Sequence, residues 1–261
     1  MTSIDSIHSL SDALLNARVN SSPYAISGDF PPISLAEALA VDDRVAAQLD
    51  QPVLGWKIGC TSEMAQTLLG ADGPFSGRVY SLAHTGTTYS DGEISDGALL
   101  EGEFAFSIGR DIEPHMVTGD DSDRELVADS IATVHPAIEV VGGRYDAFVG
   151  TPCNFIIADS GANEHLVIGD GVAWTNQDLR GMEATMNVDG SRTGKGHGSD
   201  VLGDPVNALT WLVQHLAVRQ ITLAEGQVVT TGTATQVATF TPGSTAMMVV
   251  KGLGSVTVSR S

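Results

Sequence analysis

The chain has 261 residues, 42% of them hydrophobic, and its 13 basic and 32 acidic residues give a formal net charge of -19. This length and composition favour one large hydrophobic core, and the scattered Lys and Arg residues exclude the clustered basic surface that binds nucleic acid. No apolar stretch approaches the roughly 20 residues of a membrane helix, and the N-terminus lacks the pattern of a secretory signal. We therefore expect a cytoplasmic protein that binds neither nucleic acid nor membranes.

Two amphipathic helices are predicted at the N-terminal end. Apolar residues recur at helical spacing over residues 4–19, and Ser34 followed by Glu37 has the capping-box pattern that opens a second helix. A Pro/Gly-rich break separates the two segments. We expect residues 1–52 to form a helical preface that packs on a body formed by residues 53–261 and carries no chemistry.

The body is predicted to be a mixed or antiparallel sheet assembly, which gives an α+β fold class. Its sequence consists of short β-branched runs separated by Gly, Asp and Pro, without regular βαβ alternation. The runs are VLGWKIG, RVYS, AFSIG, AIEVVGG, NFIIAD, VVTTG, MMVVKG and SVTVS. Helices are predicted over residues 123–134 and after Asp204, where Pro205 occupies the first helical position.

Three glutamates interrupt the strand-like runs. Glu101 and Glu103, in LLEGEFAF, are two residues apart and so share one face of a strand, while Glu139 lies in PAIEVVGG. Buried carboxylates need a partner, and a hard divalent cation such as Mg²⁺ or Mn²⁺ would serve all three. The alternative is that each glutamate faces solvent or pairs with an arginine such as Arg110 or Arg144.

Other candidate sites are weaker. Cys60 and Cys153 are interpreted as buried small hydrophobes without a disulfide. The glycine-rich GKGHGSDVLGDP at 194–205 lacks the order of a phosphate-binding loop and is predicted to be a mobile turn before the next helix. The histidines show no metal-binding cluster, and His135 is expected either at the surface or in contact with a metal ligand.

Several motifs, in order, resemble the 2-keto-4-pentenoate hydratase family of the fumarylacetoacetate hydrolase superfamily. They are GWKIGCTS, LGADGPFSGRVY, LLEGEFAFSIGRDI, HPAIEVVGGRY, the DS at 159, LGDPVNALTWLVQHLA and TTGT. The resemblance covers nearly the whole chain. It implies a fumarylacetoacetate-hydrolase-like mixed β-sheet roll or sandwich with flanking helices and a helical N-terminal preface.

The resemblance also implies a site and a reaction. Glu101, Glu103 and Glu139 would hold Mg²⁺ or Mn²⁺, and Lys57 and Asp72 would be catalytic. The substrate of the family is a 2-hydroxy-2,4-dienoate from meta-cleavage of aromatic or sterol rings, and water is added to give a 4-hydroxy-2-oxo acid.

The residue types fit this chemistry. Lys57 would hold the substrate's carboxylate or oxygen charge or shuttle a proton, and Asp72 would deliver protons to or from carbon or water. The alternative is that Lys57 and Asp72 form an ion pair with a purely structural role. Ser160 is a candidate substrate-binding residue, although ADSGANEH departs from the family's paired serines.

Competing functions stay open at this stage. A 4-oxalocrotonate decarboxylase would need a cation for a second substrate carboxylate, and sequence alone does not place Arg78, Arg180 or Lys195 in that position. An acylpyruvate C–C hydrolase or isomerase would need His135 or His165 as its base. A noncatalytic partner subunit would need neither histidine. We expect a homo-oligomer and leave open an association with another enzyme of the pathway.

Overall fold

The structure is a computed structural model that describes residues 3–20, 30–145 and 150–261. Within these ranges it contains six α-helices and fourteen β-strands. The helices are α1 (Ser3–Val19), α2 (Leu35–Gln48), α3 (Glu63–Leu69), α4 (Asp123–Ala128), α5 (Cys153–Ala158) and α6 (Pro205–Val218). The strands are β1 (Gly55–Gly59), β2 (Phe75–Val79), β3 (Leu82–His84), β4 (Thr87–Tyr89), β5 (Leu99–Ile108), β6 (Ile131–Val141), β7 (Asn163–Ile168), β8 (Val172–Ala173), β9 (Glu183–Val188), β10 (Ser191–His197), β11 (Val228–Thr233), β12 (Ala238–Thr239), β13 (Thr245–Val250) and β14 (Gly254–Arg260).

The strands form two sheets. The larger has the order β2-β1-β11-β5-β6-β7-β3, with β12 beside β5 and β8 beside β6, and the smaller has the order β10-β9-β13-β14-β4. Three pairs are parallel, namely β1 with β11, β3 with β7 and β14 with β4, and the remaining pairs are antiparallel. The predicted mixed α+β sheet assembly is confirmed.

The larger sheet curls into a roll. Its end strands β2 and β3 are consecutive in the chain and are joined only by Tyr80 and Ser81. The carbonyl of Ser81 accepts a hydrogen bond from the Leu166 amide of β7, at 2.9 Å. A small apolar cluster lies on the inner face of the roll and consists of Val79, Ala105, Ala137, Leu166, Ile168 and Val228.

The outer face of the roll carries the main hydrophobic core. Alternation along β5 sends Leu100, Phe104 and Phe106 to this face, where all three are fully buried. They belong to one cluster with Met186 and Met248 of the smaller sheet and with the apolar side of α6. Each such side chain contributes about 1.5–3 kcal/mol by leaving water. The residues that alternate with them therefore face the interior of the roll.

The predicted helix starts are confirmed. The Ser34 hydroxyl accepts a hydrogen bond from the Glu37 amide, and the Glu37 carboxylate accepts one from the Ser34 amide at 2.8 Å, which completes the capping box of α2. Asp204 caps α6 by accepting from the Val206 amide at 2.9 Å. The Pro/Gly-rich break between the first two helices lies mostly outside the described residues. No helix in the described ranges has the length and hydrophobicity needed to cross a membrane.

Three secondary-structure expectations were wrong. The helix predicted over residues 123–134 ends at Ala128, because the following β-branched residues pair with β5 as the start of β6. The run NFIIAD was expected as a strand but forms most of α5. The segment expected as a turn at 194–205 begins within β10, which pairs with β9.

Candidate metal centre

Two neighbouring strands bring the three predicted glutamates together. Glu101 on β5 lies directly opposite Glu139 on β6, and Glu103 lies opposite Ala137 one pleat further along the same face. Carboxylate oxygens of the three glutamates all lie within 4.8 Å of one another. Glu103 and Glu139 are fully buried and Glu101 is partly buried. The cluster faces the interior of the roll, as the two-residue spacing of the first pair predicted.

Lys57 provides the positive charge in this cluster. It lies on β1, and its ammonium nitrogen is 3.2 Å from Oε1 and 3.4 Å from Oε2 of Glu139. Burial alone would lower the pKa of Lys57, but the charges of the surrounding glutamates outweigh burial and raise it. The ion pair considered between Lys57 and Asp72 is not formed, since the partner of Lys57 is Glu139.

Glu103 is held by one of its two oxygens. Its Oε2 accepts hydrogen bonds from the Thr230 hydroxyl and from the Gly232 amide at 2.7 Å. Gly232 has a φ of +95°, and a Cβ there would lie 2.1 Å from the Thr61 hydroxyl, so only glycine fits. Oε1 of Glu103 is buried and has no hydrogen-bond partner within the described ranges. A buried carboxylate oxygen left in this way is costly unless a cation binds it.

Glu139 has a second donor besides Lys57. The Asn163 side-chain amide donates to Oε1 of Glu139 at 2.9 Å. Arg144 donates to the main-chain carbonyl of Asn163 at 3.0 Å and pairs with Asp159, so it reaches Glu139 only through Asn163. Arg110 donates to the Ser130 hydroxyl instead. The alternative in which either arginine pairs with a glutamate is therefore wrong.

The charges and oxygens of the cluster fit a divalent cation. Three carboxylates face one lysine, and burial, followed by repulsion from its neighbours, raises the pKa of Glu103 well above its ordinary value. Burial likewise raises the pKa of Glu101. A doubly charged cation would neutralise the excess negative charge. The carboxylates offer only oxygen ligands, which Mg²⁺ and Mn²⁺ prefer. The unpartnered oxygen of Glu103 gives such an ion a ready ligand.

Asn163 is aimed at Glu139 by a left-handed turn between α5 and β7. Ser160, Gly161 and Ala162 have φ values of 52°, 67° and 59°. A Cβ on Gly161 would lie 2.5 Å from Cε of Lys57, and one on Gly77 of β2 would lie 2.0 Å from the Ser160 carbonyl oxygen. The turn is therefore packed tightly against β1 and β2, which hold it in a conformation that non-glycine residues rarely adopt.

Two predicted residues do not contact the glutamates. Asp72 is exposed in the loop between α3 and β2, and no hydrogen bond or ion pair in the described part of the chain joins it to Lys57 or the cluster. That loop leads into Phe75, whose ring centre is 5.5 Å from the ammonium of Lys57. Ser160 is buried, and its hydroxyl donates to Asp42 of α2 at 2.6 Å. A catalytic Asp72 and a substrate-binding Ser160 stay predictions.

The two histidines considered as bases are both engaged elsewhere. His135 is buried, which excludes the surface position, one of the two expected for it, and its Nδ1 donates to the Gly169 carbonyl at 2.9 Å. Burial lowers its pKa, and the neutral ring accepts at Nε2 from two hydroxyls. His165 stacks on Tyr89 with ring centres 4.1 Å apart, and its nitrogens lie 2.7 Å from the Ser81 hydroxyl and 3.0 Å from a carbonyl.

Sequence reasoning missed three groups that contact the glutamates, namely Thr230, Gly232 and Asn163. The first two lie in TTGT, which carried part of the family resemblance but suggested no role for these residues. Asn163 lies within ADSGANEH, the segment that departs from the family pattern. In each case the contact depends on a strand or turn that is distant in sequence, so only the fold reveals it.

Comparisons with known proteins identify the family of this chain. The fumarylacetoacetate (FAA) hydrolase C-terminal family matches residues 62–259. A 2-keto-4-pentenoate hydratase from Paraburkholderia xenovorans (strain LB400) is 27% identical over 258 residues, which cover 94% of this chain and 91% of that protein. A 4-oxalocrotonate decarboxylase from Pseudomonas putida is 25% identical over 243 residues, covering 89% of this chain and 88% of that protein.

The fold has a close counterpart among solved structures. The 4-oxalocrotonate decarboxylase from Pseudomonas putida G7, complexed with magnesium and adipate, superposes with a TM-score of 0.88 at 23% identity, over 100% of this chain and 99% of that chain. The agreement extends to the N-terminal helices, because the whole chain is covered. By its sequence match and its fold, this chain belongs to the fumarylacetoacetate hydrolase C-terminal family.

Proposed function

We propose that this protein is a metal-dependent hydro-lyase that adds water to a 2-hydroxy-2,4-dienoate and forms a 4-hydroxy-2-oxo acid, in meta-cleavage catabolism of aromatic or sterol rings. The observation that carries the proposal is the buried cluster of three glutamates and Lys57 in a chain whose relatives include a 2-keto-4-pentenoate hydratase. Mg²⁺ is the ion we propose, with Mn²⁺ as the alternative. Glu101, Glu103 and Glu139 would be its protein ligands.

A bound divalent cation would act as a Lewis acid on the 2-oxygen of a chelating 2-oxo acid. The chain's own residues then bind the substrate and move protons. Lys57, whose raised pKa keeps it charged, would hold the substrate carboxylate or the 2-oxygen against the cluster. Because Glu139 already binds Lys57 and Asn163, it would stay fixed while the substrate enters.

Proton transfer is assigned to Asp72. It is exposed in the loop that leads into Phe75, so it could exchange protons with solvent between turnovers. It would protonate the terminal carbon of the dienol and then remove a proton from the water that adds at C4. Ser160 is the residue proposed to contribute to substrate binding.

The distribution of cations favours a substrate with one carboxylate over one with two. Of the basic residues considered for a second carboxylate, Arg180 is exposed and paired with Asp178, and Lys195 is exposed and paired with Glu183. Arg78 is buried and paired with Asp42. None of the three is free to bind a distal carboxylate, which is the group that a 4-oxalocrotonate decarboxylase must accommodate.

The test uses purified protein stripped of metal with a chelator. The substrate is 2-hydroxypenta-2,4-dienoate, with and without Mg²⁺ or Mn²⁺, and the dienol absorbance and product mass are followed. A metal-dependent gain of one water, abolished in Glu101→Gln, is the expected result. Loss of CO₂ from 2-oxo-3-hexenedioate without hydration of any dienoate would replace the hydratase with a decarboxylase, and cleavage of acylpyruvates would indicate the C–C hydrolase.

Assembly is a separate proposal. A homo-oligomer is proposed because β10 is a largely exposed edge strand of the smaller sheet, and most soluble oligomers are closed, symmetric assemblies of one chain. Light scattering coupled to size exclusion measures the mass directly, and a mass equal to that of one chain would refute it. Adding the enzyme that precedes or follows in the pathway to the same column tests the proposed association.

A further inference from the structure

A cavity of about 310 Å³ lies between the N-terminal helices and one end of the roll. Its walls come from the end of α1, the residues after α2, the link between β2 and β3, the segment before β5, Arg144 and the start of β7. Among the described residues that line it there is neither Lys57 nor a glutamate of the metal cluster, so the cavity is separate from the candidate metal centre. Its volume is at the lower end of the roughly 300–1,000 Å³ usual for small-molecule sites.

Two arginines in the wall of this cavity have unused hydrogen-bond donors. The Arg18 guanidinium donates only through Nη2, to the carbonyl and the carboxylate of Asp159 at 2.9 Å. The Arg144 guanidinium donates only through Nη1, to Asp159 and to the carbonyls of Gly142 and Asn163. The other two nitrogens of each guanidinium have no hydrogen-bond partner in the described ranges, so both arginines have donors left for a ligand.

The charges of these arginines are only partly compensated. Their side chains are 7% and 13% exposed, and both pair with the single carboxylate of Asp159. Burial, followed by repulsion from Arg144, lowers the pKa of Arg18. A carboxylate that entered the cavity would offset both effects, and the planar guanidinium matches a carboxylate with two parallel hydrogen bonds. Because the net charge of -19 repels anions at a distance, an anion here depends on these local cations.

Two hydroxyls of the lining also lack partners. Tyr80 Oη and Ser95 Oγ are buried, and neither has a hydrogen-bond partner in the part of the chain that the structure describes. An unpaired buried hydroxyl is unfavourable, and oxygen atoms of a ligand would satisfy both groups because both residues line the cavity. The Tyr80 ring centre lies 5.3 Å from the guanidinium carbon of Arg18, which places Tyr80 beside one of the two cations.

Two glutamates restrict the chemistry of the ligand. Glu93 and Glu164 also line the cavity, and neither pairs with a Lys or Arg side chain in the described ranges. Glu93 accepts from the Ser90 amide at 2.8 Å and Glu164 from the Ser95 amide at 3.3 Å. A carboxylate has about four acceptor positions, so each glutamate has further capacity to accept from a hydroxyl. The same two charges would repel a second carboxylate on the ligand.

We propose that this cavity is a second ligand site, which binds a small organic acid with one carboxylate and one hydroxyl group. The ligand's carboxylate pairs with the unused nitrogens of Arg18 and Arg144, and the Tyr80 and Ser95 hydroxyls donate to its oxygens. The ligand's own hydroxyl donates to one of the two lining glutamates. No metal ion takes part, so the site does not depend on the function proposed above.

The binding test uses the metal-free protein and 4-hydroxybutanoate. This probe has one carboxylate, a hydroxyl at the far end and no 2-oxo group with which to chelate a metal. Ligand-observed NMR titration should show saturable binding, and the ligand should raise the unfolding temperature because it binds only the folded state. Butanoate, 4-hydroxybutanamide and succinate, which respectively lack the hydroxyl, lack the charge and add a second carboxylate, should each bind several-fold more weakly. Absence of saturable binding, or equal binding of any analogue, would overturn the proposal.

Matched variants locate the binding in this cavity. Tyr80→Phe and Ser95→Ala each remove a hydroxyl that has no partner in the described ranges, so both should unfold at or above the wild-type temperature without ligand. Each should lose about tenfold or more in affinity for 4-hydroxybutanoate. Tyr89→Phe is the control, because Tyr89 Oη is likewise buried and unpartnered in those ranges but Tyr89 does not line the cavity. Its affinity should equal that of the wild type. Unchanged affinity in Tyr80→Phe or Ser95→Ala, or an equal loss in all three variants, would refute the site.

Discussion

The Thr230→Val substitution tests whether the hydrogen bonds behind Glu103 prepare it to bind a metal ion. The Thr230 hydroxyl and the Gly232 amide both donate to Oε2 of Glu103 and leave Oε1 free to face the cluster. Valine has the shape of threonine without the donor. A hydrogen bond to a charged group is worth about 1.5–3 kcal/mol, which is about 10- to 100-fold in a binding constant. We expect divalent metal affinity to fall by that factor.

The neighbouring residue provides a matched control. Thr231 is equally buried, but its hydroxyl donates to the main-chain carbonyl of Phe104 at 3.0 Å and not to a glutamate. Thr231→Val should therefore lower stability by about 1–3 kcal/mol without weakening the binding of metal. Titration calorimetry of the metal-free proteins with Mn²⁺ and Mg²⁺ measures the affinity, and thermal unfolding verifies the fold. Equal losses of affinity in the two variants, or none in a well-folded Thr230→Val protein, would refute the reasoning.

Three further predictions address other parts of the molecule. Asp72→Asn should reduce kcat by about 100-fold or more and leave the calorimetric metal affinity unchanged; a parallel loss of metal binding would contradict a role in proton transfer. Burial lowers the pKa of His215 to about 4, so its charged form is disfavoured in the folded state, and stability should fall as pH drops from about 6.5 to about 4; urea titrations of wild type and His215→Gln should show a shallower fall in the variant. Gly77→Ala would place a Cβ 2.0 Å from the Ser160 carbonyl oxygen and should lower the free energy of unfolding by about 1–3 kcal/mol, whereas Gly73→Ala, with open space around it, should be nearly neutral; equal effects in denaturant titrations would show that the turn is not packed as described.

The parts of the site that depend on local periodicity could be predicted from sequence. Residues two apart on a strand share a face, and this rule alone places the side chains of Glu101 and Glu103 together. Because the flanking residues are apolar, the pair was expected to be buried and therefore to bind a cation. Glu139, a third carboxylate flanked by apolar residues, was the expected third ligand of that cation. The register of β5 with β6, which puts Glu139 opposite Glu101, then follows from pairing that no local pattern encodes.

Other elements escaped prediction for identifiable reasons. The hairpin of β9 and β10 turns at Asp189 and Gly190, which have φ values of 51° and 76°. Asp-Gly between alternating residues is a strong signal for such a turn, so the sequence does contain the signal for this hairpin. For residues 131–134 the helical spacing of the apolar residues was a true pattern, but the gain from pairing with β5 outweighed it. The strand conformation of residues 131–134 is therefore set by tertiary pairing, which the spacing of apolar residues in the sequence does not reveal.

The helical preface supports the site more directly than its sequence suggested. The left-handed turn that delivers Asn163 contains non-glycine residues in an unfavourable conformation, so contacts from outside must hold it. Asp42 of α2 accepts the hydrogen bond of the Ser160 hydroxyl, and Arg18 of α1 donates at 2.9 Å both to the carboxylate and to the carbonyl of Asp159. Both charged side chains are buried, and breaking a buried pair by removing one partner costs about 3–5 kcal/mol. The position of Asn163, and through it that of Glu139, therefore depends on the two helices that precede the body. The change in sequence pattern near residue 52 separates the helices from the body but does not separate them from the residues that support the site.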